Sequence, residues 1–162
     1  SRRDIYREAL MLRELTDKSG ASLIVNDYTD IALAVNSDGV HLGQDDLPLK
    51  EARKILGKEK IIGISTHSIE QAIAAEAGGA DYIGFGPIFH TETKDAGKPK
   101  GIAALREIKK IIKIPVVAIG GIKAENLESV IDAGADAVAV SSAIIQGDIA
   151  DNVIRFLNIL KK

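Results

Sequence analysis

The sequence predicts an α/β fold of the (βα)8, TIM-barrel type, and three observations carry that expectation. Short apolar runs recur along the chain: "SLIVN" at 22, "GVHL" at 39, "IIGIST" at 61, "YIGFGP" at 82, "VVAIGG" at 116 and "AVAVSS" at 137. They are near-continuously apolar rather than alternating, as strands of a parallel sheet covered on both faces are. Segments of helical periodicity separate them. Two of these segments end in the same phrase, "GGADYIGFG" at 78 and "AGADAVAVS" at 133, with a weaker form in "VNSDGVHLG" at 35. A glycine turn, an aspartate and then a strand is a βα repeat, and regular βα repetition builds parallel α/β folds.

The elements follow in order. A leading helix is expected over "RDIYREALMLRELTDKSG", with Ile5, Ala9, Leu12 and Leu15 on one face. In "SIEQAIAAEAGG" the stripe is Ile69, Ala72, Ile73 and Glu76, Ser68 with Gln71 predicts a capping box, and Gly78 and Gly79 predict the stop. In "AENLESVIDAG" Leu127, Val130 and Ile131 form the stripe and Gly134 ends it. Similar short units favour barrel winding over an open doubly wound sheet. A complete (βα)8 barrel takes about 200 residues or more. The expectation is therefore one incomplete barrel domain over residues 1–162, a helix followed by six βα units equivalent to strands 3–8 of the barrel.

Composition narrows the chemistry. Apolar residues make up 46% and charged residues 27%, as in soluble globular proteins, and no apolar run approaches the roughly 20 residues of a membrane span. With no signal-peptide core at "SRRDIYREAL", a cytoplasmic location is expected. There is no cysteine, which removes thiolate metal sites, disulfides and cysteine nucleophiles. A formal charge of -2, no Trp and few Tyr and Phe leave no platform for nucleic acid. A small acidic or phosphorylated ligand fits better.

In barrels of this type the site lies at the C-terminal ends of the strands. Those ends carry Asn26 and Asp27; Gln44, Asp45 and Asp46; Ser65, Thr66 and His67; Thr91, Thr93 and Lys94; Gly120 and Gly121; Ser141 and Ser142. Asp27 and Asp46 end neighbouring strands, and paired carboxylates suit Mg²⁺ completed by substrate phosphates. Each also precedes a helical segment, where aspartate is a common N-cap, so capping stands beside the metal reading. "AIGGI" and "VSSAI" end the last two strands, where barrels commonly bind phosphate; a tight turn and a serine cap are the alternatives. His67 reads as a loop-packing group beside Ser68, His41 as a buried, hydrogen-bonded strand residue, and His90 as a loop residue on the surface or at a ligand.

Together "LIVNDYTDIALAVNSDGVHLGQDDLP", "IIGISTHS", "GADYIGFGPIFHTETK", "VVAIGGI" and "GADAVAVSSAI" closely resemble thiamine-phosphate synthase, also called thiamine-phosphate pyrophosphorylase. The resemblance implies Mg²⁺-dependent transfer of an aminopyrimidine methyl group from its diphosphate to a thiazole phosphate, giving thiamine phosphate and pyrophosphate. It implies Asp27 and Asp46 as metal ligands and Asn26, Ser65 and Lys94 as pyrimidine-diphosphate ligands. Lys94 and Ser65 take the catalytic role, and Thr91, Glu92, Thr93, Gly121, Ser141 and Ser142 hold the thiazole phosphate.

The chain departs from the family pattern at Tyr28, where arginine is usual, and at His90, where proline is usual. The family's opening strand–helix–strand, with its arginine and lysine donors, precedes the region matched here. A chain of this extent is expected to turn over poorly and to self-associate through sheet edges, which sedimentation would show. A thiazole-phosphate-binding scaffold without turnover and a thiazole tautomerase are the other readings of the residues.

Overall fold

Every apolar run picked out above becomes a strand. The computed structural model describes residues 1–91 and 97–161. Helix α1 (Arg2–Ser19) leads into β1 (Ile24–Asn26), α2 (Thr29–Ala34), β2 (Gly39–Leu42), α3 (Leu49–Leu56), β3 (Ile61–Thr66) and α4 (Ile69–Ala77). Then come β4 (Tyr82–Phe85), α5 (Gly101–Ile111), β5 (Val116–Ile119), α6 (Ala124–Asp132), β6 (Ala137–Ala139), α7 (Ser142–Ile145) and α8 (Ile149–Leu160). The strands pair in consecutive order, all parallel, in one six-stranded sheet.

Side chains alternate between the two faces of each strand. The outer face carries the large apolar groups Val25, Val40, Leu42, Ile62, Ile64, Ile83, Phe85 and Val116, which form one core with Ala52, Ala72, Leu105, Ile108, Leu127 and Val130 of the helices. The inner face of β2 to β4 carries Gly39, His41, Gly63, Ser65, Tyr82 and Gly84. A Cβ at Gly84 would lie 3.1 Å from the ring of His41, two strands away, so the sheet is strongly curved with this face concave. Burial on the concave side falls off along the sheet: His41, Ser65 and Tyr82 are half-buried, whereas Ile119 is 45% exposed and Ala137 is exposed.

The repeated aspartates have one structural job. Asp38 Oδ2, just before β2, accepts from Leu23 N at 2.7 Å and from Arg13 Nη1 of α1 at 2.7 Å. Asp81 Oδ2, before β4, accepts from Ile62 N at 2.7 Å and Arg53 Nη2 of α3 at 2.6 Å. Asp136 Oδ2, before β6, accepts from Val116 N at 2.7 Å and Lys109 Nζ of α5 at 2.5 Å. Each carboxylate ties the start of the preceding strand to the helix before that strand. These clamps recur at every second strand and sit at the N-terminal ends, the side that carries stability in such folds.

The Leu23 amide, then the Arg13 guanidinium, hold Asp38 below the usual carboxylate range. At Asp136 partial burial works upward, but the bonds from Lys109 and the Val116 amide outweigh it and the carboxyl is again lowered. Both are therefore held below their unfolded values. Their stabilisation is present above about pH 4 and is lost as pH falls through the depressed folded values. Asp136→Ala leaves the buried Val116 N–H without its acceptor, which costs about 1–3 kcal/mol. Denaturant melts at neutral pH should show that loss, with less further destabilisation in acid than in the unmodified chain.

Several helix faces differ from expectation. The buried edge of α1 runs through Ile5, Ala9, Arg13 and Thr16 rather than Ile5, Ala9, Leu12 and Leu15. Leu12 and Leu15 are 48% and 60% exposed, because the Arg13–Asp38 bond turns the polar residue inward. On α4, Ala72 and Ala75 are buried while Ile73 is exposed, and on α6 Leu127 and Val130 are buried while Ile131 sits at the exposed boundary. The capping box at Ser68 is half formed. Ser68 Oγ accepts from Gln71 N at 3.3 Å, but Gln71 Oε1 accepts from His67 N at 2.7 Å instead of from Ser68 N. Among the described residues no helix is long and apolar enough to cross a membrane.

Candidate functional site

Parallel winding brings the strand C-termini to one side, and hydrogen bonds tie the loops after β1 to β4 each to the strand that follows. Asp27 N donates to His41 O at 2.8 Å, joining the end of β1 to β2. Gln44 Nε2 donates to Ser65 O at 2.6 Å, joining the β2 loop to β3. His67 Nδ1 lies 2.7 Å from Gly86 O, joining the β3 loop to the end of β4. Ile88 N and Phe89 N donate to Ile119 O and Gly120 O at 2.9 and 3.0 Å, joining the β4 loop to β5. These bonds join the rim from the β1 loop to the end of β5.

Asp27 and Asp46 line one cleft of about 450 Å³, together with Asp45, Asp30, Arg2, Tyr28, Thr29, Leu47 and Ile55. Neither caps a helix. The N-cap of α2 is Tyr28 and that of α3 is Pro48, both without a side-chain bond, so the capping alternative fails for both aspartates. Asp27 instead adopts a left-handed backbone, φ 67°, and its Oδ1 accepts from Asn26 Nδ2 at 2.6 Å. Asp46 Oδ2 accepts from Gly43 N at 2.6 Å, which folds the β2 loop back on itself. The Thr29 hydroxyl, buried in the wall of the same cleft, has no hydrogen-bond partner.

Arg2 of α1 stacks over the Tyr28 ring at 5.1 Å and is ion-paired with Asp30, whose carboxyl that bond holds below its usual range. Neither Arg2 nor Thr29 was legible as a site residue, since each belongs to an ordinary helix start. The donor set is all hard oxygen. Among the described residues no group of three or more acidic or histidine side chains could by itself hold a metal ion. Mg²⁺ does not need one, being commonly held by one or two carboxylates plus substrate phosphates. The residues present fit that ion.

Ser65 lies on the concave face of β3, half-buried, with its Oγ 2.8 Å from His41 Nε2. His41 Nδ1 is 2.9 Å from the Tyr82 hydroxyl, so the histidine is hydrogen-bonded as expected but only half-buried. Gly120 and Gly121, φ 95° and 64°, stand at the end of β5. A Cβ at Gly121 would lie 2.4 Å from His90 O and one at Gly120 2.5 Å from Pro87, so these glycines admit the β4 loop against β5. Ser141 occupies the N-cap position of α7 without a side-chain bond, which leaves the cap alternative unsupported there. Thr91 is half-buried and His90 exposed at the same rim. Glu92, Thr93 and Lys94 lie outside the described residues.

The family model for thiamine monophosphate synthase matches residues 1–144, which include every site residue named above. The chain belongs to the thiamine monophosphate synthase family. Among relatives, the thiamine-phosphate synthase of Halalkalibacterium halodurans is 54% identical over 145 residues, 89% of this chain and 69% of that protein. That of Clostridium acetobutylicum is 48% identical over 160 residues, 98% of this chain and 76% of its own. The solved structure of thiamine phosphate pyrophosphorylase from Pyrococcus furiosus superposes with a TM-score of 0.93 at 40% identity, over 99% of this chain and 78% of that one. In the thiamine monophosphate synthase fold described here, the acidic cleft belongs to β1 and β2 and the glycine–serine rim to β5 and β6, with Ser65 between them.

Proposed function

We propose that this chain is a transferase that joins 4-amino-2-methyl-5-(diphosphooxymethyl)pyrimidine to thiazole phosphate, forming thiamine phosphate and releasing pyrophosphate. The observation that carries the reading is the charge balance of the cleft. Asp27, Asp45 and Asp46 line it together, and Arg2, the cation among the described lining residues, is already paired with Asp30. A diphosphate brought there as a bare anion would meet net repulsion. Asp27 and Asp46 would hold Mg²⁺, which when bound neutralises charge on the departing diphosphate.

Asn26 and Ser65 offer donors to the diphosphate oxygens from β1 and β3, and Lys94 is assigned the same role. As the C–O bond breaks, its electron pair leaves with the diphosphate, and the lone pair of the thiazole nitrogen forms the new C–N bond at the pyrimidine methylene. Fixed donors aimed at the leaving oxygens stabilise charge as it develops. Gly121, Ser141 and Ser142, with Thr91, Glu92 and Thr93, are assigned to the thiazole phosphate. On this assignment the diphosphate lies toward β1 and β3 and the thiazole phosphate toward β5 and β6, with the reacting atoms between.

The test is a coupled pyrophosphate assay with both substrates, with and without a chelator. The expected result is pyrophosphate release that needs both substrates and Mg²⁺. A folded chain that binds thiazole phosphate saturably but forms no product under those conditions would make it a binding scaffold and reject the reading.

A further inference from the structure

We propose that Tyr82 and His41 are positioning residues that orient the Ser65 hydroxyl, so that the Ser65 proton is delivered to the ligand rather than to the protein. The inference rests on the assignment of Ser65 to the pyrimidine diphosphate made above.

Three groups from three adjacent strands form a chain on the concave face: the Tyr82 hydroxyl, 2.9 Å from His41 Nδ1, and His41 Nε2, 2.8 Å from Ser65 Oγ. The fold makes room for it at two glycines. Gly63 lies opposite Tyr82 in the β3–β4 register, and a Cβ there would stand 2.1 Å from the tyrosine ring. Gly84 lies opposite Ser65, and its Cβ would come within 3.1 Å of the imidazole. The two rings are 5.4 Å apart at 30°, tilted rather than stacked, and their polar atoms rather than their faces meet. The Ser65 backbone is fixed separately by Gln44.

A neutral imidazole has one donor and one acceptor nitrogen, so the direction of the chain follows from which end gives up a proton more readily. A phenol is a far stronger hydrogen-bond donor than an alkyl hydroxyl, by some five or six orders of magnitude in acidity, roughly pKa 10 against about 16; burial of Tyr82 raises its pKa and narrows that gap without reversing the order. Tyr82 O–H then donates to Nδ1, Nε2–H donates to Ser65 Oγ, and the serine hydrogen has no acceptor among these three groups. It is left for an anionic oxygen at the C-terminal side of β3. Reversed, Ser65 would donate to Nε2 and offer a ligand only lone pairs, which leaves an ionised phosphate oxygen without a donor from Ser65. The same chain would raise the strength of the Ser65 donor, since linked hydrogen bonds polarise one another.

The tautomer is read directly from long-range proton–nitrogen spectra of the nitrogen-labelled chain at about pH 8, where histidine is ordinarily neutral. The His41 signal is identified against His67→Gln and His90→Gln. The expected result is hydrogen on Nε2; hydrogen on Nδ1 overturns the proposal, whether or not the chain makes thiamine phosphate. Kinetics supply the second arm. Tyr82→Phe keeps the ring against Gly63 and removes one oxygen. It is expected to lower kcat/KM for the pyrimidine diphosphate about tenfold, leaving KM for thiazole phosphate and the melting temperature nearly unchanged. In a Ser65→Ala background the same change should add nothing. A tenfold loss that persists on top of Ser65→Ala would show that Tyr82 acts elsewhere and would overturn the proposal. Absence of product in the unmodified chain would instead reject the functional reading, with the tautomer still deciding this one.

Discussion

Asp46→Asn and Asp27→Asn should each lower kcat/KM for thiamine phosphate formation by a factor of about 10² to 10³, the scale on which charge stabilisation at a leaving group acts. The two carboxylates line one cleft from the ends of adjacent strands, and neither serves a helix cap whose loss would confuse the result. Asparagine keeps the shape and an oxygen. It can still accept from Gly43 N at position 46, so the loop fold should survive. What is lost is negative charge, and with it affinity for a hard cation. The half-saturating Mg²⁺ concentration should therefore rise in each variant, while KM for thiazole phosphate stays close to its starting value. The combined variant should be no worse than about the poorer single one, since the two act on one ion. Measured Mg²⁺ titrations that superpose on the unmodified chain would remove both residues from the metal site.

The second large effect is expected at Gly121→Ala. The position has φ 64°, where an alanine costs roughly 1 kcal/mol or more, and the new Cβ would stand 2.4 Å from His90 O and 2.8 Å from the Phe89 Cβ. Relief requires moving the β4 loop off β5, against the bonds that Ile88 N and Phe89 N make to Ile119 O and Gly120 O. Overpacking of this kind costs about 1–3 kcal/mol more. The expected outcome is a chain several degrees less stable whose KM for thiazole phosphate rises much more than its KM for the pyrimidine diphosphate, because Asp27, Asp46 and Ser65 stand on the other half of the rim. Equal rises in both would mean the rim moves as one piece.

Much of this was readable from particular residues. The runs "GVHL" and "IIGIST" coincide with β2 and β3 residue for residue, because β-branched runs bounded by polar groups have few other places to go in a parallel sheet. The repeated "GAD" phrase announced a repeating unit. Its purpose stayed hidden, since a carboxylate's partners at Leu23, Ile62 and Val116 lie 15 to 20 residues away in the chain. Asp27 and Asp46 could be brought together on paper because consecutive parallel strands end side by side. Whether they capped helices could not be decided there, because a cap depends on backbone dihedrals at one residue, and Asp27 takes a left-handed one.

Helix faces were the weakest reading. On α1 the leucines at 12 and 15 satisfy helical periodicity as well as Arg13 and Thr16 do, and only the neighbour decides which edge turns inward. Asp38 decides it, by drawing Arg13 in. The role of Tyr82 is hidden in the sequence for a related reason. In "YIGFGP" it reads as one more apolar strand residue, and its hydroxyl acquires meaning only when Gly63 and Gly84 leave space for it to meet His41.

By itself, then, the sequence determined the strand order, the parallel winding, the family and the set of polar groups at the strand ends, because all of these follow from local periodicity and from motifs contiguous in the chain. The tertiary structure alone decided which polar groups share a cleft, which glycines admit a neighbour and that Tyr82, His41 and Ser65 meet. Those depend on distances between residues far apart in sequence, which the curvature of the sheet sets.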